Sequence, residues 1–408
     1  MTTATTSRER TSRTRSGLLA EALARPLADY YLVLIPTVLL LGVGVLMVLS
    51  SSSLYSQSLG NGPYAIAIKQ AVFLVAGVPL AWWLSTRTER HLKSLSWLAM
   101  GLSLLLLLLV LSPMGVAVKG HQGWLKIGPL QLQPSEFAKL ALTMFLAQVA
   151  SAKQRVLDRP RELMPMFLGF GLVMGLVLLE KDLGTAIVIG MIFFATLWVM
   201  GIQGRILFLL VGAAGLGLAG LVLVSPNRMT RIFSFLGQSN DPAASQQPTS
   251  SIYAIATGGW WGLGLGASRQ KWGALADGAQ NDFVFAVLGE ELGLVGVIAV
   301  LALFATLAWA GFRIALRVDS LYLRVLAAGC TSWLLFQGLV NVGMAMRLLP
   351  VVGVPLPFIS AGGSALMSTM MAVGLLLAAA RAEPAARRVL SQRKGIKPPR
   401  VTTVVDGR

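Results

Sequence analysis

Charge is scarce in this chain: 12% of its 408 residues are Asp, Glu, Lys or Arg, about half the roughly 25% of an ordinary soluble domain. With 55% hydrophobic residues, that scarcity excludes a soluble globular protein and implies a polytopic membrane protein. Cys330 is the single cysteine, so no intrachain disulfide and no thiolate metal cluster can form. His91 and His121 are the only histidines, too few for a histidine metal site. Residues 1–30 lack the short apolar core and small-residue cleavage site of a signal peptide, and read as a solvated tail.

Acidic residues are outnumbered by basic ones, 17 against 34, for a net charge of +17. Such an excess could serve nucleic acid, so its placement decides. Ten apolar stretches approach the roughly 20 residues a span needs: 31–50, 65–84, 95–112, 136–151, 163–180, 183–200, 204–224, 283–312, 322–345 and 359–380. The expectation is an all-α polytopic membrane protein with ten transmembrane helices and a large extracytoplasmic loop, 225–282, between the seventh and eighth. Of the 34 Lys and Arg residues, 24 fall on the side shared with the termini and 8 on the other. By the positive-inside rule both termini are cytoplasmic. The charge is thereby explained without nucleic acid, and the basic tail 382–408 can also touch anionic membrane lipids.

Four stretches carry polar residues where the pattern calls for apolar ones. Trp124-Leu125-Lys126 leads to Gln133-Pro134-Ser135-Glu136, with Lys139 three residues on and on the same helical face. Helix capping and an internal ion pair explain this stretch slightly better than ligand binding. Glu180-Lys181-Asp182 reads as a tight external turn, in which Asp182 matters only if the turn lies below the surface. Asn240-Asp241-Pro242 and the Ser/Gln-rich run to Ser251 read as turn and flexible linker. Further along the same loop, Gly258–Gly266 and Lys271 precede Asp282 and the pair Glu290-Glu291. Residue physics alone makes Asp282 an N-cap for a helix opening at Phe283 ahead of a catalytic base. Finally, Pro355-Leu356-Pro357-Phe358-Ile359-Ser360-Ala361-Gly362-Gly363 allows close packing at the mouth of the last span.

Together WLKIGPLQLQPSEFAKL, EKDLGTA, NDFVFAVLGEELG and LPFISAGGSAL resemble the SEDS family of bacterial shape, elongation, division and sporulation proteins over about residues 30–380. The loop motif GGWWGLGLGASRQKW looks more like division members than elongation members. The resemblance implies a glycosyltransferase that polymerises lipid II at the outer face of the cytoplasmic membrane, at the septum. Its partners would be a class B penicillin-binding protein and other divisome membrane proteins. It implies Asp282 as the catalytic carboxylate and a substrate-binding set of Trp124, Lys126, Gln133, Ser135, Glu136, Lys139, Asp182, Lys271 and Ser360. Lys126, Lys139, Lys271 or Arg269 would stabilise the departing diphosphate, alone or together with a divalent cation (Mg or Mn). Where the family commonly has Arg before the tryptophan, this chain has Gly123, leaving Lys119, His121 and Lys126 as substitutes. A transporter flipping lipid II, or a non-catalytic division scaffold, are the competing readings.

Overall fold

The computed structural model describes residues 25–393 apart from 119–120, 129, 157–159, 225, 237–241 and 277. Lys119, Asn240, Asp241 and most of both tails lie outside the described residues. Helices stand at all ten expected places: α1 (Ala28–Ser58), α2 (Ala65–Ser85), α3 (Glu89–Leu111), α4 (Pro134–Ala152), α5 (Met164–Leu179), α6 (Leu183–Val199), α7 (Gly204–Leu223), α10 (Val284–Arg317), α11 (Leu321–Ala345) and α12 (Gly363–Ala382). The protein is thus a helical multi-pass membrane protein, and eight of these helices are long and apolar enough to cross a bilayer. The other two are α4, which carries Glu136 and Lys139, and α6, which is 17 residues long.

A helix interrupted by charge must turn inward, because lipid offers those groups no partner. Accordingly α4 buries 15 of its 19 residues. Lys139 Nζ donates to Glu136 Oε1 and to Gln337 Oε1, both at 2.8 Å, and lies 5.2 Å from the Trp333 ring centroid. Ser368 Oγ donates to the second Glu136 oxygen at 3.1 Å.

Two features depart from the sequence reading. Between α3 and α4 the chain forms a three-stranded antiparallel sheet in the order β1 (Gly115–Val118), β2 (His121–Ile127), β3 (Leu130–Leu132). The 225–282 segment is also more ordered than a linker, containing α8 (Pro226–Phe235) and α9 (Pro242–Thr257). The run to Ser251 is helical because tertiary contacts override its composition: Ser251 Oγ donates to the Ala345 carbonyl at 2.6 Å, and Ala254 is fully buried. After α12, the short helix α13 (Pro384–Arg393) occupies part of the expected tail.

Beyond α9 the glycine-rich turn clasps α10 where that helix breaks. Gly293 has φ +66° and ψ −170°, which a residue with a Cβ adopts only at a cost. The break frees helical backbone groups, and the turn takes them up. Leu263 N donates to the Glu290 carbonyl at 2.9 Å and Gly264 N to that of Glu291 at 3.0 Å. In return Leu294 N donates to the Gly259 carbonyl at 2.9 Å and Val295 N to that of Trp260 at 3.2 Å. Side chains lock the same junction: Glu290 accepts from Ser268 Oγ at 2.6 Å, and Glu291 from Lys271 Nζ at 2.9 Å.

Candidate functional site

A cavity of about 850 Å³ opens where the sheet, the α5–α6 turn, α7, α8, the start of α10 and the 350–365 segment converge. One part of its lining is apolar, with Leu218, Val222, Leu223 and Ile232 from α7 and α8. The rest is polar and charged: His121, Trp124, Gln133, Lys181, Asp182, Arg231, Asn281 and Asp282. A pocket with one greasy wall and one ionic wall suits an amphiphile.

Asp282 is half-buried. It is not the N-cap, since that position belongs to Phe283 and α10 begins at Val284. Its main chain is pinned instead. Asn341 Nδ2 donates to the Asp282 carbonyl at 3.0 Å and to that of Val354 at 2.8 Å. Ser360 Oγ donates to the Asn281 carbonyl at 2.7 Å, and Ala361 N to that of Gln280 at 2.7 Å. The turn at Gly353 closes near the carboxylate: a Cβ there would lie 3.9 Å from Asp282 Oδ2.

Asp182, the second acid, caps α6 by accepting from Thr185 N at 2.9 Å. Its other oxygen accepts from Gln133 Nε2 at 3.2 Å and lies 3.6 Å from His121 Nε2. The turn that presents it is tight, with Lys181 at φ +66°. Unusual backbone of this kind persists where the surroundings over-determine it. Sequence reads Glu180 as an external turn residue; instead it is fully buried, and neither carboxyl oxygen has a hydrogen-bond partner among the described residues. Burial, and next the Asp182 charge, push its carboxyl up to about 8.

The structure therefore gathers Trp124, Gln133, Asp182 and Asp282 in one cavity and leaves the rest of the expected set outside its lining. Ser135 is buried and its hydroxyl has no partner among the described residues. Lys126 is exposed on β2. Lys271 is buried, donating to Glu291, to Ser50 Oγ at 3.0 Å and to the Gly266 carbonyl at 2.8 Å. Lys139 and Glu136 are consumed by their own pair, though they brace the site indirectly, because Gln337 passes the contact on to the Pro355 carbonyl at 3.0 Å. Ser360 acts on the backbone beside Asp282. The basic groups in the cavity are Lys181 and Arg231, with His121 beside them. Arg231 and Asn341 escaped sequence reasoning, since one of two Arg residues on a short helix and a lone Asn in an apolar one announce no role. Among the described residues no group of three His, Cys, Asp or Glu side chains is placed to hold a metal ion, and Asp182 already accepts two hydrogen bonds. The donor set does not form a dedicated cation site.

This fold and site define a multi-pass membrane protein with an acid-lined cavity that has one apolar wall. Residues 31–384 match the FtsW/RodA/SpoVE family of cell cycle proteins, and the chain belongs to that family. It is 39% identical over 358 residues to stage V sporulation protein E of Bacillus subtilis, covering 86% of this chain and 97% of that one. It is 40% identical over 346 residues to a probable peptidoglycan glycosyltransferase FtsW of Thioalkalivibrio sulfidiphilus, covering 83% and 86% respectively. Among solved structures it superposes with a TM-score of 0.71 on a chain of a peptidoglycan synthase complex, at 31% identity, covering 86% of this chain and 96% of that one. The Thermus thermophilus rod shape determining protein RodA gives 0.63 at 30% identity, covering 87% and 97%.

Proposed function

We propose that this protein polymerises lipid II into glycan strands at the outer face of the cytoplasmic membrane, with Asp282 as general base. The observation that carries the reading is Asp282 itself: a half-buried carboxylate, braced through its backbone, lining a cavity with one apolar and one ionic wall. In the reaction Asp282 takes the proton from the GlcNAc 4-hydroxyl of an acceptor. The freed oxygen attacks C1 of the donor MurNAc, and the bond from C1 to the diphosphate breaks, releasing undecaprenyl diphosphate. A base must reach the hydroxyl within hydrogen-bond distance, which the pinned 281–282 backbone favours. Negative charge grows on the departing diphosphate, and Lys181 and Arg231 are the cations positioned to stabilise it. The apolar wall takes polyprenyl chains.

In this reading all ten helices cross the bilayer, both termini are cytoplasmic, and residues 225–282 face outward. A class B penicillin-binding protein and other division proteins are its partners, and it acts at the septum. The relatives named FtsW support the division role, and a tagged copy spread along the side wall would count against it. The transporter alternative draws on Glu136, Lys139 and Asp182 as a polar pathway; the first two are sealed against each other, and Asp182 lines the cavity.

The test is the Asp282→Asn variant, purified and supplied with lipid II in detergent, where no second leaflet exists. Glycan strands should fall at least about a thousandfold while the melting temperature holds; synthesis at the unaltered rate removes Asp282 from the chemistry. Polymerisation by the wild-type chain in detergent also excludes a pure transporter.

A further inference from the structure

Helix α2 turns Ile68, Val72 and Val75 outward, all of them exposed, while Gln70, Phe73 and Gly77 share its buried face. An amide on a helix within the bilayer has to face inward and find partners there. Gln70 finds two, both on one short stretch of main chain: Nε2 donates to the Ser360 carbonyl at 3.3 Å, and Oε1 accepts from Gly362 N at 3.1 Å. A carbonyl only accepts and a backbone N–H only donates, so one orientation of the amide serves both. The same stretch turns its other bonds toward the cavity. Ala361 N donates to the Gln280 carbonyl and Ser360 Oγ to that of Asn281, both at 2.7 Å. Residues 360–362 therefore lie between Gln70 on one side and the main chain leading into Asp282 on the other, and Ala361 and Gly362 line the cavity themselves.

Two close approaches hold the stretch against the outer helices. A Cβ on Gly363 would overlap the ring of Phe73, on the same face of α2 as Gln70, and a Cβ on Gly44 of α1 would overlap the Phe358 carbonyl oxygen. Phe358 has φ +67°, a left-handed backbone that a bulky residue keeps only where its surroundings impose it. Van der Waals contact limits how near the 358–363 segment comes to α1 and α2, and the Gln70 amide fixes where it sits along α2. We propose that Gln70 is a positioning residue for the transfer reaction: from α2 it fixes residues 360–362, and through them it sets where the Asp282 carboxylate stands in the cavity. This rests on the lipid II reading above, and Gln70 itself lies outside the cavity lining.

The experiment compares Gln70→Met, Gln70→Glu and Asp282→Ala with wild type in lipid II polymerisation, with melting temperatures recorded for each. Gln70→Met keeps the volume and removes both hydrogen bonds. Its kcat should fall roughly ten- to a hundredfold, the effect of misplacing a reacting group by about 1 Å, with KM within about threefold. In Gln70→Glu the ionised carboxyl still accepts from Gly362 N but has nothing to donate to the Ser360 carbonyl, and protonation restores that donor. Its kcat relative to wild type should climb as pH falls, a ratio in which the titration of Asp282 cancels, whereas the Gln70→Met ratio should stay level. A purely structural role would lower the melting temperatures and leave both ratios flat. Wild-type kcat in Gln70→Met, a change confined to KM, or no recovery of Gln70→Glu in acid overturns the proposal; should Gln70→Met fail to fold, the recovery of Gln70→Glu decides alone. If Asp282→Ala is inactive when the proposal is overturned, the glycosyltransferase reading survives; if Asp282→Ala polymerises normally, that reading fails first.

Discussion

Glu180 offers a stability measurement whose sign and size follow from its surroundings. Its carboxyl is fully buried with both oxygens unpartnered among the described residues, and it is pushed from 4.5 up to about 8. Between those values the folded chain keeps a proton that the unfolded chain has released. Stability from this group is therefore complete below the unfolded value and is lost as pH rises through the folded one. From about pH 5 to about pH 9 the loss comes to about 4 kcal/mol, roughly a third of it above neutrality. Thermal unfolding of purified protein in detergent, followed by tryptophan fluorescence across that range, should show a melting temperature that declines in wild type and declines less in Glu180→Gln. Glu383, also pushed up to about 8, first by burial and then by Asp29, is present in both proteins, so its contribution cancels in the comparison. Identical slopes in the two proteins would mean that the carboxyl ionises freely, and the argument from its buried, unpaired oxygens would be wrong.

Removing one member of the buried Glu136–Lys139 pair strands the other charge. Glu136→Gln should destabilise by about 3–5 kcal/mol, and adding Lys139→Met should recover part of that in the same melting assay. Asn341→Ala and Ser360→Ala release the backbone at residues 281–282. Each should lower kcat by roughly ten- to a hundredfold with little change in KM, since misplacing a reacting group by about 1 Å has that effect; a rise confined to KM would refute the bracing role. Gly293→Ala forces a side chain onto φ +66° against the Gly262 main chain. It should destabilise by at least about 1–3 kcal/mol and expose the 258–266 turn to proteolysis, and an unaltered digestion pattern would deny the clasp.

The helices were legible because long apolar runs leave few alternatives in a bilayer. The oddity of α4 was legible too: Glu136 and Lys139 at three-residue spacing foretold an inward face and a pair. What spacing could not reveal is that the pair is closed off, since a buried ion pair and a ligand-binding pair look alike in sequence. Lys271 misled for the same reason, its partner Glu291 lying 20 residues away. The sheet went unseen because its strands run 4, 7 and 3 residues, too short for a periodic signal. In α9 a Ser/Gln-rich composition hid a helix that tertiary contacts hold. Asp282 was singled out through its motif, yet what pins its backbone resides in Asn341 and Ser360, far off in the chain.

The two acids of the cavity are supported separately. Asp182 is held by Gln133 and Thr185, whereas the main chain at Asp282 is held by Asn341 and Ser360 with Ala361. Disabling one leaves the scaffolding of the other standing. On the lipid II reading, a chain silenced at Asp282 should therefore keep the rest of its cavity, and in a cell that also makes the intact form it should compete with that form rather than merely be missing.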